Sequence, residues 1–278
     1  MPAFPGSGKS RLDAVGLALL SPGIAGIVYG LAQVGVTGGF GQLSVLIPLL
    51  GGLALISVFT LRALALGARA LVDLRLFRVS SFSAASGLLF LSGFALYGAM
   101  LLVPLYFQQV RGQQAFAAGL LIAAQGVGVL VSRGIAGRLT DRIGARWVAF
   151  TGLLVVALAT VPFALATSNT PEWWLVVTLV VRGLGLGAVT IPVMASAYIG
   201  LDRSEVPHAS ILTRTAQQIG GSFGTAVLAV VLEGAIAQHA LAGLDGRAAA
   251  FDVAFWWSIA FTALAVLLAF WLPNREPS

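Results

Sequence analysis

Residues 137–146 read GRLTDRIGAR and form a short charged segment between two long apolar stretches. The chain around this segment is almost wholly apolar: 58% of its residues are hydrophobic, 9% are charged, and the mean hydropathy is +0.96. A soluble domain would carry roughly a quarter charged residues. The composition therefore predicts a polytopic membrane protein in which GRLTDRIGAR is a loop between two membrane-spanning segments.

The apolar stretches are predicted to be helices. Each crossing of a hydrocarbon core needs about 20 mostly apolar residues, and backbone groups in lipid must pair within a helix or a closed barrel. The stretches lack the polar and apolar alternation of barrel strands. The predicted fold class is all-α, with eight transmembrane helices over residues 14–34, 44–61, 82–107, 116–136, 146–166, 173–198, 211–238 and 253–272.

The basic residues predict how the chain is oriented in the lipid bilayer. With a cytoplasmic N-terminus, twelve Lys and Arg residues fall in cytoplasmic loops or tails, and only Arg111 and Arg247 fall outside. Such an excess is typical of cytoplasmic loops. Eight spans return the C-terminus to the inside, so both termini are predicted on the cytoplasmic side of a bacterial plasma membrane. Because the basic residues are dispersed among loops, no nucleic-acid partner is expected.

Residues 63–78, ALALGARALVDLRLFR, predict the internal boundary of the chain. Apolar residues at helical spacing alternate there with three arginines and one aspartate. This pattern favours a helix lying on the inner leaflet, with its arginines toward anionic head groups; a solvated linker is the alternative. Either interpretation divides the chain into two helices with this amphipathic segment, residues 1–78, and a six-helix bundle, residues 79–278. Six helices can contain a nested three-plus-three arrangement.

The segment GRLTDRIGAR resembles the signature loop of the major facilitator superfamily. Gly137, Asp141, Arg142, Gly144 and Arg146 match positions of that motif. In the family this loop latches neighbouring helices in one transport state, so the resemblance implies that these five residues form a conformational-switch loop. The glycines permit a tight turn, and the aspartate can cap the following helix or pair with a nearby arginine. A positively charged loop that only orients the spans is the alternative.

Four further segments extend the resemblance over nearly the whole chain. They are RLDAVGLALLSPG at 11–23, LVDLRLFRVSSF at 71–82, RGLGLGAVTIPVMASAY at 182–198 and RTAQQIGGSFGTA at 214–226. These segments look like the fourteen-helix branch, the EmrB/QacA-type drug:proton antiporters, in which two extra helices separate two six-helix bundles. The chain is similar to the extra pair plus the C-terminal bundle, and the N-terminal bundle has no counterpart in it.

The resemblance implies a module of a proton-coupled secondary exporter, which exchanges an amphipathic drug or metabolite for protons. The family binds substrate between its two bundles, so the chain is expected to be incomplete without an N-terminal six-helix bundle. The alternative is a non-transporting membrane-embedded interaction protein or a truncated gene product. No enzyme activity is expected, because no nucleophile cluster or acid/base pair is apparent. Without cysteines, and with its histidines in opposite loops, the chain is expected to need no metal or other cofactor.

Charged residues within the predicted spans are the first candidates for a functional site. Arg182 is costly in lipid unless it faces the bundle interior or finds a partner, and its segment VVRGLGLG resembles an arginine motif linked in the family to proton coupling. Glu233 is the only carboxylate predicted clearly within a span, at a depth compatible with Arg182. The two residues are predicted either to take part in proton coupling or to form a buried ion pair. A Glu233 side chain that reaches external water is a further alternative.

Polar side chains in two other spans are candidates for lining a substrate cavity. Gln125 lies midway along the fourth span, and Arg214, Gln217 and Gln218 form a polar stripe in the seventh. Polar residues at such depths often face a cavity. In the alternative interpretation the arginine snorkels to the interface and the glutamines bond a neighbouring helix.

Overall fold

The computed structural model describes residues 13–37, 39–67, 74–167, 169–202, 205–239 and 243–272. These residues form eight long helices and no strand, and each helix is long and apolar enough to cross a membrane. The helices are α1 Ala14–Thr37, α2 Leu43–Leu66, α3 Ser80–Gln109, α4 Ala115–Ile143, α5 Ala145–Ala164, α6 Glu172–Ala197, α7 Val206–Gln238 and α8 Gly243–Ala269. The predicted all-α class and the number of spans are confirmed.

Two helices extend well past their predicted ends. The fourth continues from residue 136 to Ile143, and the eighth begins at Gly243 rather than at residue 253. Hydropathy detects only the part of a helix that lies in hydrocarbon, whereas the hydrogen-bonded helix continues into the head-group region. Most of the GRLTDRIGAR segment is therefore the last turns of α4, not a free loop.

The helices α1 and α2 form a closely packed hairpin. A Cβ at Gly26 would lie 2.8 Å from the carbonyl oxygen of Pro48, so only glycine permits this approach without a backbone shift. Asp13 accepts a hydrogen bond of 2.8 Å from the backbone N–H of Gly16 at the start of α1. The same carboxylate forms an ion pair of 2.7 Å with Arg62, near the end of α2. The hairpin then packs on α7 through α1.

The predicted amphipathic segment is only partly described. Its first residues are the end of α2, which runs to Leu66, and residues 68–73 lie outside the described part of the chain. The described remainder is a short 3-10 helix, Leu74–Arg78, in which Leu76 is buried while Arg75 and Arg78 are exposed.

The six helices α3 to α8 form two triplets with the same packing. In the first triplet α3 is the central helix and packs mainly on α7 and α8, while α6 in the second triplet packs mainly on α4 and α5. Gly93 of α3 faces the carbonyl group of Gln217, and Gly183 of α6 faces that of Gln125. These matched contacts relate α3, α4 and α5 to α6, α7 and α8, respectively, as expected of two consecutive three-helix repeats. Each packing triplet thus takes helices from both repeats. The residue before each glycine differs: it is Arg182 in α6 and a serine in α3.

Two apolar clusters fill the bundle, one toward each end. The first contains Tyr106 and Leu179, and the second contains Phe82 and Val189. Arg182 falls between Leu179 and Val189 along α6, so this cationic residue occupies the layer that separates the two clusters.

Candidate functional site

Arg182 is the centre of a buried polar network in the middle of the bundle. Its side chain is 1% exposed, the largest of the fully buried side chains. Nε donates to the hydroxyl of Thr160 (3.1 Å), Nη1 to the amide oxygen of Gln125 (2.8 Å) and Nη2 to the carbonyl oxygen of Ala95 (2.8 Å). One side chain thus joins α6 to α3, α4 and α5.

The network holds a cation among neutral oxygens. Burial of a charge costs free energy unless hydrogen bonds replace its hydration, and bonds from a guanidinium are stronger than those between neutral groups. Three of the five N–H donors of Arg182 are used in this way. The hydrogen bonds lower the cost of burial, but no carboxylate in the described residues bonds the guanidinium.

The structure does not form the predicted ion pair between Arg182 and Glu233. Arg182 is enclosed by the bundle, whereas Glu233 is exposed on α7. The prediction compared depths counted from the predicted span ends, but in the structure Arg182 lies ten residues into α6 and Glu233 five residues before the end of α7. Depth also does not reveal which face of a helix a residue occupies. Gln125, predicted to line a cavity, is 6% exposed and bonds Arg182 instead.

Glu233 lines a cavity of about 320 Å³ between α1, α3 and α7. The cavity wall consists of Leu31, Ala32, Leu101, Leu105, Thr225, Ala226, Ala229, Leu232 and Glu233. The hydroxyl of Thr225 donates to the carbonyl oxygen of Ser222, so the carboxylate is the main polar group of the wall. A mostly apolar cavity with one charged group suits an amphipathic ligand.

The polar stripe of α7 is more accessible than Gln125. Arg214 and Gln218 are exposed, and Gln217 is partly exposed. Gln217 is the counterpart of Gln125 in the other triplet, where Ser92 stands in place of the arginine. Because a serine replaces the arginine, Gln217 does not form a buried hydrogen bond like the one between Gln125 and Arg182 in the described residues. A cavity-lining role for Arg214, Gln217 and Gln218 stays a prediction.

A second carboxylate, Asp252, lies away from the ends of its helix, and the sequence does not predict it within a span. Asp252 was placed just outside the eighth span, but α8 begins at Gly243, so the aspartate belongs to its third turn. Oδ1 of Asp252 is buried and has no hydrogen-bond partner in the described residues. The run AAAF before it, which favours a helix, is the sequence signal that extends the span.

The predicted switch segment is split between a helix end and a turn. Gly144 has φ +88° and ends α4, a conformation that residues with a side chain rarely adopt. Gly137 lies inside α4, so only one of the two glycines makes the turn. Asp141 and Arg142 are exposed on the last turn of α4.

The expected contacts of Asp141 are not formed. The N-cap of α5 is Gly144, with no capping side chain, and Asp141 forms no ion pair within the described ranges. Arg146 makes the long-range contact of this segment instead: its Nε donates to the carbonyl oxygen of Leu272 over 2.7 Å. This bond ties the start of α5 to the end of α8. Whether the segment acts as a switch stays a prediction.

Comparison with known proteins identifies the family. The profile of the Major Facilitator Superfamily matches residues 12–225 and, in a second overlapping match, residues 86–278. The uncharacterized MFS-type transporter YcnB of Bacillus subtilis is 34% identical over 251 residues, which cover 88% of this chain and 53% of that protein. The multidrug resistance protein B homolog of Mycobacterium tuberculosis is 31% identical over 226 residues, or 81% of this chain and 42% of that protein. The chain thus spans about half the length of these curated relatives.

A solved structure shows the same fold. It is a bacterial homolog of the human lysosomal transporter Spinster in an inward-facing and occupied conformation, with a TM-score of 0.55 and 17% sequence identity. The match covers 95% of this chain and 69% of the other. Together with the eight membrane-length helices and the GRLTDRIGAR segment at the α4–α5 junction, these matches show that the chain belongs to the major facilitator superfamily.

Proposed function

We propose that the chain is a module of a proton-coupled secondary exporter of amphipathic drugs or metabolites, of the fourteen-helix EmrB/QacA type. In this proposal α1 and α2 are the two extra helices and α3 to α8 are the C-terminal bundle. A second six-helix bundle, in the same or another polypeptide, completes the substrate cavity. The multidrug resistance relative and the partial coverage of both curated relatives support this assignment.

The uncovered face of α4 is the observation that carries the proposal. Large apolar side chains along this face are exposed, and the exposed fraction of Phe116 is 83%. Between them lie Gly119, Gly126 and Gly134, where an added Cβ would meet nothing within 4 Å. Small residues let helix backbones approach closely, whereas contact with lipid alone does not require them. This face therefore fits a second helical bundle.

Glu233 is the proposed proton-exchanging group. It combines a carboxylate with an apolar cavity, so a bound organic cation and a proton can compete for the same group. Arg182 has a positioning role in this scheme, because it bonds neutral groups of three other helices.

The Glu233→Gln variant is expected to lose drug-dependent proton movement. The chain would be co-expressed with an N-terminal bundle, and ethidium or tetracycline would be added to acidified inverted vesicles that carry a pH-sensitive dye. The wild type should release protons on drug addition, and the variant should stay near background because an amide cannot take up a proton. Asp245→Asn, an exposed carboxylate at the start of α8, is the matched control.

Three outcomes would change the proposal. Unchanged coupling in Glu233→Gln would exclude that residue, and loss of coupling in Asp252→Asn alone would move the proton site to α8. If the wild type moves no protons with any N-terminal bundle, the chain is better explained as a non-transporting interaction protein.

The proposed orientation places both termini and the α4–α5 junction in the cytoplasm of a bacterial cell. Since the chain has no cysteine, single-cysteine variants can be labelled without background. In whole cells, a membrane-impermeant maleimide is expected to label Gln114→Cys and not Arg142→Cys, and inverted vesicles should give the reverse. The opposite pattern would contradict the orientation. Both positions are exposed.

A further inference from the structure

A groove of about 420 Å³ lies between the first two turns of α3 and the end of α8. Its walls are formed by Ser80, Ser83, Ala84, Gly87, Leu268 and Trp271. We propose that this groove binds an anionic phospholipid of the cytoplasmic leaflet. Its head group would lie at the rim between Arg78 and Arg146, and an acyl chain would run along Gly87.

Each side of the groove has an arginine close to it, although neither arginine is one of the six lining residues. On the α3 side, the exposed Arg78 ends the 3-10 helix two residues before Ser80. On the α8 side, Arg146 bonds Leu272, the neighbour of Trp271, through its Nε, and neither of its Nη atoms has a hydrogen-bond partner among the described residues. Neither arginine forms an ion pair with any described residue. Two guanidinium groups that no described carboxylate neutralises favour an anion, and arginine matches the geometry of a phosphate group.

The interior of the groove suits a hydrocarbon chain. Ala84, Gly87 and Leu268 form an apolar floor, and an added Cβ at Gly87 would meet nothing within 4 Å. Trp271 is 76% exposed at one edge, as expected of an aromatic residue at the membrane interface. The hydroxyl of Ser83 is bonded to the carbonyl oxygen of Phe77, while Ser80 is exposed and has no partner in the described ranges. Its hydroxyl can therefore donate to a phosphate ester.

The position of the groove in the bilayer favours an anionic lipid over other anionic ligands. The start of α3 and the end of α8 lie on the same side as the α4–α5 junction, since Arg146 joins that junction to Leu272. This is the proposed cytoplasmic side, where anionic lipids concentrate. The inference rests on that orientation and not on transport activity. A free phosphate would use only the rim, whereas a phospholipid uses both the rim and the apolar floor.

The test is lipid binding by the purified full chain. Native mass spectrometry would count phosphatidylglycerol and phosphatidylcholine retained during titration in detergent. The wild type should prefer phosphatidylglycerol, and Gly87→Leu should lose that binding because its side chain fills the floor. The double variant Arg78→Ala/Arg146→Ala should weaken binding by about fivefold for each arginine removed. Gly51→Leu, at another open glycine in α2, should bind as the wild type does.

Three results would overturn the proposal. They are equal retention of the two lipids by the wild type, unchanged selectivity in Gly87→Leu, and full displacement of phosphatidylglycerol by inorganic phosphate. If Gly87→Leu does not fold, the double arginine variant still tests the proposal. Its replacements should not prevent folding, because Arg78 is exposed and Arg146 is partly exposed. Cysteine labelling checks the orientation separately, so a failure of lipid binding is distinguishable from a reversed topology.

Discussion

Replacing Gln125 with leucine is expected to lower the free energy of unfolding by about 3 kcal/mol. The leucine removes the amide oxygen that accepts from Nη1 of Arg182 and leaves a fully buried cation with two neutral acceptors. The cost is large because Arg182 is 1% exposed, so bulk solvent does not reach the guanidinium to replace the lost bond. Thermal unfolding in detergent measures the loss.

A double variant separates the structural role of the network from its functional role. Arg182→Met/Gln125→Leu removes the charge together with its acceptor, and well-packed apolar replacements of buried charged groups are often neutral or stabilising. We expect the double variant to recover most of the stability lost in Gln125→Leu and to lack drug-dependent proton movement. Equal instability of the two variants would show that the bonds to Thr160 and Ala95 carry the stability instead. Arg214→Ala, an exposed arginine of α7, controls for loss of charge alone.

Replacing Gly128 with alanine is expected to separate α4 from α6 and to lower the free energy of unfolding by about 3 kcal/mol. The added Cβ would collide with the carbonyl oxygen of Val180 and lie 2.8 Å from the backbone nitrogen of Leu184. Both obstacles are backbone atoms, so no side-chain rotation relieves the contact.

Gly126 provides the matched control, two residues away on the same helix. An added Cβ there meets nothing within 4 Å, so Gly126→Ala should be neutral or stabilise the helix by about 0.5–1 kcal/mol. Thermal unfolding of the two purified variants measures the difference. Equal midpoints would contradict the close α4–α6 contact that the structure shows.

The sequence by itself determined the fold class, the number of spans and the place of the α4–α5 junction. These features depend on the apolar content of each stretch and on the local chemistry of single residues, such as the positive φ at Gly144. Both can be inferred without knowing which helices touch. The ends of the helices are harder to predict from the sequence. Hydropathy marks the part of a helix that lies in hydrocarbon, whereas a helix ends at its last backbone hydrogen bond. That is why Asp252 was placed outside α8.

Only the tertiary structure decided which polar residues meet. The sequence predicts compatible depths for Arg182 and Glu233, yet Arg182 is enclosed by four helices and Glu233 lines a cavity beside α1. The equivalence of Gln125 and Gln217 is likewise visible only through the glycines that their carbonyl groups face. The physical reason is that nearly every side of these helices is apolar, so the sequence does not indicate which face is turned inward. Close backbone contacts at glycines determine which face of a helix is turned inward. These contacts also bring together residues that are distant in the chain.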